Sequence, residues 1–374
     1  MKNFIMMLLA VGIAVVSHAQ NVTNVLQNGV FNNALVVQTG DGNSSDIVQT
    51  GVSNDAVANQ TDLNNYSESN QTGWFNKMVT NQYGSSNEAM TNQSGEANVA
   101  HKEQSITSNR AVSTQSGLGN STQQYQTFVG NLAISIQEGF KNYAQQQQGG
   151  QGNTATITQL GEINEAVQNQ AGTRNEATTI QEGTGNYSVQ RQSGLINGAY
   201  VDQTDLNNYS EIDQIGFVNS ASSRQSGEVN WSQKYQDGLL NSAISTQFGE
   251  ANWSQQHQFG QMNQASILQS GNSNHAIQIQ GDGEISSEEN IAIVNQSGND
   301  NYAEQTQFGE SNIAEAIQTD ADNESFQNQY GAANMSVVKQ YGSGNFAEIS
   351  QFNAGHISLT NQVGMGNTIT VIQK

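Results

Sequence analysis

Along this chain the polar residues keep a beat that the hydrophobic ones do not. The stretch Gln225–Gln258, "QSGEVNWSQKYQDGLLNSAISTQFGEANWSQQHQ", puts Gln at 225, 236, 247 and 258 and Asn at 230, 241 and 252, eleven residues apart each time. From an Asn to the next Gln is six residues, an even number that places both side chains on one face of a strand. From Gln to the next Asn is five, with a Gly inside, where a residue tolerant of positive φ suits a turn. Each eleven-residue unit therefore predicts one strand of about seven residues and one tight turn.

The beat is unbroken from Gln27 to Gln280 and, after one interval of 16 residues, from Gln296 to Gln373, giving 31 units. The unit is Q-x-G-x-x-N-x-[AS]-x-x-x. Asn fills its slot in 30 of the 31, with His356 the exception, and the Gly slot holds Gly in 24. Repeats at such a period mark a solenoid or array. The slot four after Asn is expected inward but is mixed: Val36, Ile47, Ile157, Val201 and Ile267 alternate with Lys102, Lys234 and several Gln. The outward slot three after Asn is often apolar (Val57, Val112, Ile134, Ile244). Either the interior is thin or the outer faces are sticky.

Alternate units share a character. Asn-aromatic-Ser recurs at 186–188, 208–210, 230–232 and 252–254, spaced by 22, while the units between read Asn197-Gly198-Ala199, Asn219-Ser220-Ala221 and Asn241-Ser242-Ala243. One coil thus holds two strands. The expected fold is all-β: a parallel, in-register, two-sheet β-solenoid of cross-β type, 22 residues per rung and about 15.5 rungs, about 74 Å long at the usual strand spacing. An odd number of units would leave half a rung at one end. Tyr187, Tyr209, Trp231 and Trp253 form an outward aromatic stack on one sheet.

In such a coil each inward amide lies above and below another, donating to one and accepting from the other. The expected ladder includes Gln137, Asn142, Gln148, Asn153, Gln159, Asn164, Gln170, Asn175, Gln181, Asn186, Gln192 and Asn197, and continues through Gln225, Asn230, Gln236, Asn241, Gln247 and Asn252. Gly139, Gly150, Gly161, Gly172, Gly227, Gly238 and Gly249 are the expected turn glycines. A met buried hydrogen bond contributes on the order of 1 kcal/mol and an unmet one costs roughly 1–3 kcal/mol, so a ladder stabilises only while its beat holds. Asp62, Asp205 and Asp320 replace Gly. Asp suits turns, and the sharper reading is that these charges act as gatekeepers against premature stacking.

The first twenty residues differ. Lys2, an apolar run from Phe4 to Val16 and the small residues Ser17 and Ala19 fit a secretory signal cut after Ala19. The organisation is then a signal at 1–19, a short lead at 20–26 and the solenoid at 27–374, with a five-residue insertion within 281–290. The insertion is expected to be a solvated loop. Its Asp282, Glu284, Glu288 and Glu289 make cation binding the less favoured alternative. No later segment is apolar and long enough to cross a membrane as a helix.

Composition narrows the classes further. Pro and Cys are absent, which suits central strands and removes disulfides and thiolate chemistry. Eleven Lys and Arg against 32 Asp and Glu, net −21, disfavour nucleic acid as a partner. His101, His257, His275 and His356 are scattered, with none at metal-ligand spacing. Carboxylates lie in turns and outward slots, away from any evident cleft. No cofactor or metal is expected, and the chain is not expected to be an enzyme.

Units such as "QEGFKNYAQQQQ" (137–148) and "QAGTRNEATTIQ" (170–181) resemble the curlin repeat, and the resemblance runs over residues 27–373. Curlins are secreted subunits of curli, the amyloid fibres of bacterial biofilm matrix. The resemblance implies export through an outer-membrane secretion pore, a nucleator subunit, self-polymerisation outside the cell, and a part in adhesion and cohesion. Family major subunits have about five repeats behind a Gly-rich segment, whereas here "QNVTNVL" (20–26) precedes the first unit. The alternatives are a monomeric β-solenoid adhesin or ice-binding protein, disfavoured by irregular outward slots (Glu165, Glu176, Tyr187, Gly198), and a minor nucleating curli subunit.

Overall fold

The computed structural model of the chain describes residues 20–282 and 287–374. The expected signal at 1–19 and Glu284 of the insertion lie outside the described residues. Among those described there are strands and corners and no helix.

Successive strands alternate between two sheets. Sheet A begins Val22–Val30, Ser44–Val52, Tyr66–Trp74 and continues through 16 strands. Sheet B begins Asn33–Asp41, Asp55–Leu63 and ends at Thr368–Gln373. Every pairing is parallel and in register, so that Trp231 lies beside Trp253, Gln236 beside Gln258 and Gly238 beside Gly260. The fold is a two-sheet β-solenoid with 22 residues per rung, the period that alternate units carry in the sequence.

The strands are longer than seven residues. Tyr187–Leu195 is typical at nine, containing both Gln192 and Gly194, and the corner is only Ile196 and Asn197. The glycine therefore ends a strand instead of lying beyond it. In-register neighbours bend together, so backbone pairing continues through the bend.

There are 16 rungs, and no half rung is left over. The lead supplies the missing strand: Val22 to Leu26 pair with Ser44 to Val48. The insertion splits one strand of sheet B into His275–Gln280 and Ser287–Glu288. Ser287 then takes the glycine's place beside Gly260, and the ladder resumes.

The slot four after Asn points inward. Ile47, Ile157, Val201 and Ile267 are buried, and so are Lys102, Lys234 and the Gln residues that share their column. The outward slot is apolar at the surface: Ile244 is 47% exposed. The outer faces are sticky and the interior is not thin. Its apolar part is broken into short clusters, such as Ile47 with Ala58 and Met78, or Ile267 with Val294 and Ala316. Amides fill the lengths between, so hydrophobic burial alone does not hold the rungs in register.

Candidate functional site

Two kinds of amide ladder run the length of the interior. In the glutamine ladder every link has the same direction. Gln137 Nε2 donates to Gln159 Oε1 at 2.8 Å, and Gln159 to Gln181 at 2.9 Å. The run continues without a gap, one line per sheet, from Gln27 and Gln38 to Gln362 and Gln373. Each Nε2 also crosses to the other sheet: Gln159 reaches the Tyr143 carbonyl at 2.9 Å. One side chain thereby ties its own strand to three others, and both its donors and its acceptor are met.

The asparagine ladder runs the other way. Asn76 donates through both its backbone N–H and its Nδ2 to Asn54 Oδ1, at 3.1 Å each. The same Nδ2 contacts the Thr72 and Gly95 carbonyls at 3.2 and 3.0 Å. Asn is thus the clasp of the corner, joining its own strand end to the rungs on both sides. The ladder residues from Gln137 to Asn197 and from Gln225 to Asn252 all occupy these inward positions and are buried.

Two left-handed positions with one residue between them turn the chain: the glycine near the strand's end and the residue just before Asn. The glycines at 139, 150, 161, 172, 227, 238 and 249 have φ between 107 and 136°. A Cβ at any of them would sit 1.9–2.2 Å from a carbonyl oxygen of the next rung. The second position, just before Asn, is also left-handed although it holds Phe75, Lys141, Ile196 or Val229, at φ 52–59°. Gly fills it in only eight of the 31 units, among them Gly152 and Gly185, so the sequence marks it weakly. The Asn clasp and the backbone bond across rungs, Phe75 N to Val52 O at 3.0 Å, hold the residue in a conformation that β-branched side chains ordinarily avoid.

Asp62, Asp205 and Asp320 occupy the glycine slot at φ 76, 74 and 69°. Asp205 Oδ2 accepts the Gly227 N–H at 3.0 Å, and Asp62 Oδ2 accepts that of Gly84 at 3.1 Å. Each of these two carboxylates adds a side-chain bond to the in-register glycine of the next rung, Asp205 to Gly227 and Asp62 to Gly84. Tyr187, Tyr209, Trp231 and Trp253 stack on the outer face of sheet B, with centroids 5.2, 5.8 and 4.7 Å apart and planes within 10°.

Two features are missing from the sequence-based expectation. Asn21 begins the asparagine ladder, its Oδ1 accepting from Asn43 N at 2.9 Å; its six-residue spacing to Gln27 was the available signal. The second is an inner column on sheet B. Taking the slot four after Asn in alternate units gives Lys102, Gln124, Gln146, Gln168, Gln190, Ile212, and then again Lys234, Gln256, Gln278, Gln305, Gln327, Ile349. Each block of four Gln is a directed ladder. A directed ladder has one acceptor end with nothing above it, and Gln124 Oε1 and Gln256 Oε1 are buried without a partner. The residue in register before each is a lysine, a side chain with donors only when charged.

Both lysines are sealed from water and bond to hydroxyls of sheet A and, for Lys234, also to one on its own strand. Lys234 Nζ lies 2.8 Å from Ser232 Oγ and 2.7 Å from Ser245 Oγ. Lys102 Nζ contacts Thr91 Oγ1, the Met90 carbonyl at 2.8 Å and Ser113 Oγ at 2.6 Å. Burial alone pushes the Lys234 ammonium down to about 7 and that of Lys102 well below its usual value. Long side chains of sheet B thus stand opposite short ones of sheet A.

At its ends the solenoid is polar in the directional sense. Val22–Val30 and Thr368–Gln373 each pair with one strand of their sheet among the described residues. The rung holding Gln27 offers amide oxygens outward along the axis, and the rung holding Gln362 and Gln373 offers amide N–H groups. The inward slots of these rungs are apolar or nearly so, Val25 and Val36 at one end and Thr360 and Val371 at the other. Among the described residues no group of three or more His, Asp or Glu side chains is placed to hold a metal ion, and no helix is long and apolar enough to cross a membrane.

The family model described as the curlin associated repeat matches residues 21–51, the first rung and the start of the second. The same unit continues in register to Gln373. No curated protein matches the chain.

Proposed function

This chain is a curlin-repeat protein, and from that premise we propose that it is a secreted structural subunit that assembles end to end into extracellular curli-type fibres, where it serves adhesion and cohesion of a biofilm matrix. The observation that carries this reading is the match between the two ends. A second copy stacked on the Gln362/Gln373 rung presents Gln27 and Gln38 to it, so amide donors meet amide acceptors and the backbone edge finds a parallel partner. An edge that natural β proteins normally protect then becomes the growth point.

Even strand number supports the same reading. With 16 strands per sheet, the next copy's first strand joins sheet A and its second joins sheet B, so both sheets continue across the junction. Residues 1–19 are the export signal in this account. Recognition by an outer-membrane pore and initiation by a nucleator subunit follow from the family alone. The charges of Asp62, Asp205 and Asp320 would slow stacking before export is complete.

The test is to purify chain 20–374, remove denaturant and examine the product by electron microscopy and fibre diffraction. Unbranched fibres with a meridional reflection near 4.7–4.8 Å are expected. A soluble monomer that persists at high concentration would overturn the reading and favour a monomeric solenoid.

A further inference from the structure

The aromatic column on sheet B extends beyond its four stacked rings. Trp253 contacts His275 with centroids 4.0 Å apart, and His275 contacts Tyr302 at 5.0 Å. Ring contact is therefore continuous from Tyr187 to Tyr302. At its centre Trp231 and Trp253 lie parallel within 1° at 4.7 Å, two of only three tryptophans in a chain that has no cysteine.

A tyrosine stands on each side of this pair, and each donates its hydroxyl to a carboxylate two residues further along its own strand. Tyr209 Oη reaches Glu211 Oε2 at 3.1 Å, and Tyr302 Oη reaches Glu304 Oε2 at 2.9 Å. Both distances lie within the range for direct proton transfer. A phenol gives up an electron readily only when its proton leaves at the same moment, and here the acceptor is already in place.

We propose that the column is a one-electron relay: a strong one-electron oxidant in solution takes an electron from the Trp231–Trp253 pair, and the resulting hole moves to Tyr209 or Tyr302 as the phenolic proton passes to Glu211 or Glu304. The balance closes within the chain. The oxidant is reduced by one electron, the indole is restored, the tyrosine becomes a neutral phenoxyl radical, and the proton stays on the carboxyl group. No atom is lost.

The two ends differ. Burial opposes the ionised form of Glu211, but Arg191 at 2.5 Å and the Tyr209 hydroxyl outweigh it and hold that carboxyl below its usual range. Arg191 already engages Glu211, whereas Glu304 forms no ion pair among the described residues, so Tyr302 with Glu304 is the favoured resting place of the radical. Burial and the neighbouring carboxylates push both phenols up to about 12, so each keeps its proton until it is oxidised.

The experiment is photo-oxidation of the full chain with a ruthenium polypyridyl sensitiser and a sacrificial electron acceptor, read by freeze-quench electron paramagnetic resonance and by peptide mapping. A tyrosyl signal is expected, with products at Tyr302 and then Tyr209 exceeding those at Trp74, although Trp74 is 56% exposed. In the double variant Glu211→Gln/Glu304→Gln the tyrosyl signal should fall at least fivefold and the products move to Trp231 and Trp253. In Trp231→Leu/Trp253→Leu the yield at both tyrosines should fall. A product map led by Trp74, or one unchanged in the carboxamide variant, overturns the relay. None of these readouts depends on fibre growth.

Discussion

Lys234 Nζ lies 2.7 Å from Ser245 Oγ, on the opposite sheet, inside a space closed to water. The folded chain holds this amine down to about 7, whereas an unfolded lysine titrates near 10.4. Between these values the unfolded chain binds a proton that the folded chain does not. Stability therefore rises with pH across that window, by about 1.4 kcal/mol per pH unit for this group, and is flat in this respect below pH 7. Denaturant midpoints at pH 7, 8, 9 and 10 should climb. Lys234→Gln should lower that slope, and because its amide can donate to Gln256 Oε1 it should also stabilise the chain by about 1–3 kcal/mol at pH 7. A parent chain with no pH dependence would show that the amine is hydrated.

Gln181 accepts from Gln159 and donates to Gln203, each at 2.9 Å. Gln181→Leu takes a partner from the Gln159 donor, the Gln203 acceptor and the Glu165 carbonyl, and should cost about 2–5 kcal/mol. Gln373→Leu, at the end of its line, strands only the Gln351 donor and should cost about half as much. Equal losses in chemical denaturation would show that the ladder is not a chain of linked bonds.

The two corner positions should respond differently to a side chain. Gly172→Ala would bring a Cβ to 2.0 Å from the Gly194 carbonyl oxygen and should break pairing locally, with loss of hydrogen-exchange protection in neighbouring rungs. Gly152, at φ 66°, has as its nearest neighbour only the Arg174 Cγ, at 3.7 Å. Gly152→Asn should change stability by less than about 0.5 kcal/mol.

His356 replaces Asn in the last rung of one corner, its N–H bonded to Asn334 Oδ1 at 3.0 Å. In an end-to-end fibre it would face Asn21 of the next copy. His356→Asn restores an amide oxygen at the junction and should raise the denaturant concentration at which fibres dissociate, while leaving the folding of single chains nearly unchanged.

Parity should matter more than length. Removing residues 154–175 deletes one rung and keeps every later strand in its own sheet. Removing 165–175 moves them all to the other sheet, sets Thr179 where Gln168 met Gln146, and leaves half a rung at one end. The shorter deletion is expected to be the more damaging, both to stability and to regular fibre growth.

Much of the fold was legible because a solenoid repeats in one dimension, as its sequence does. The eleven-residue beat, the alternation at 22 and the inward face of Gln and Asn follow from spacing alone. The aromatic column was readable for the same reason, since identical offsets place Trp231 beside Trp253. The corner was harder. Phe75 and Val229 have no preference for a left-handed backbone, and they adopt it because the neighbouring rungs' hydrogen bonds impose it.

The sequence by itself determined the period, the number of strands per coil and which side chains share a face, because these depend only on where residues fall along an extended chain. The tertiary structure decided how far each strand runs past its glycine, which way each amide ladder points, and that Lys102 and Lys234 lie sealed inside. Those outcomes depend on what the rungs above, below and opposite offer to each backbone and side-chain group, and spacing along one chain does not contain that information.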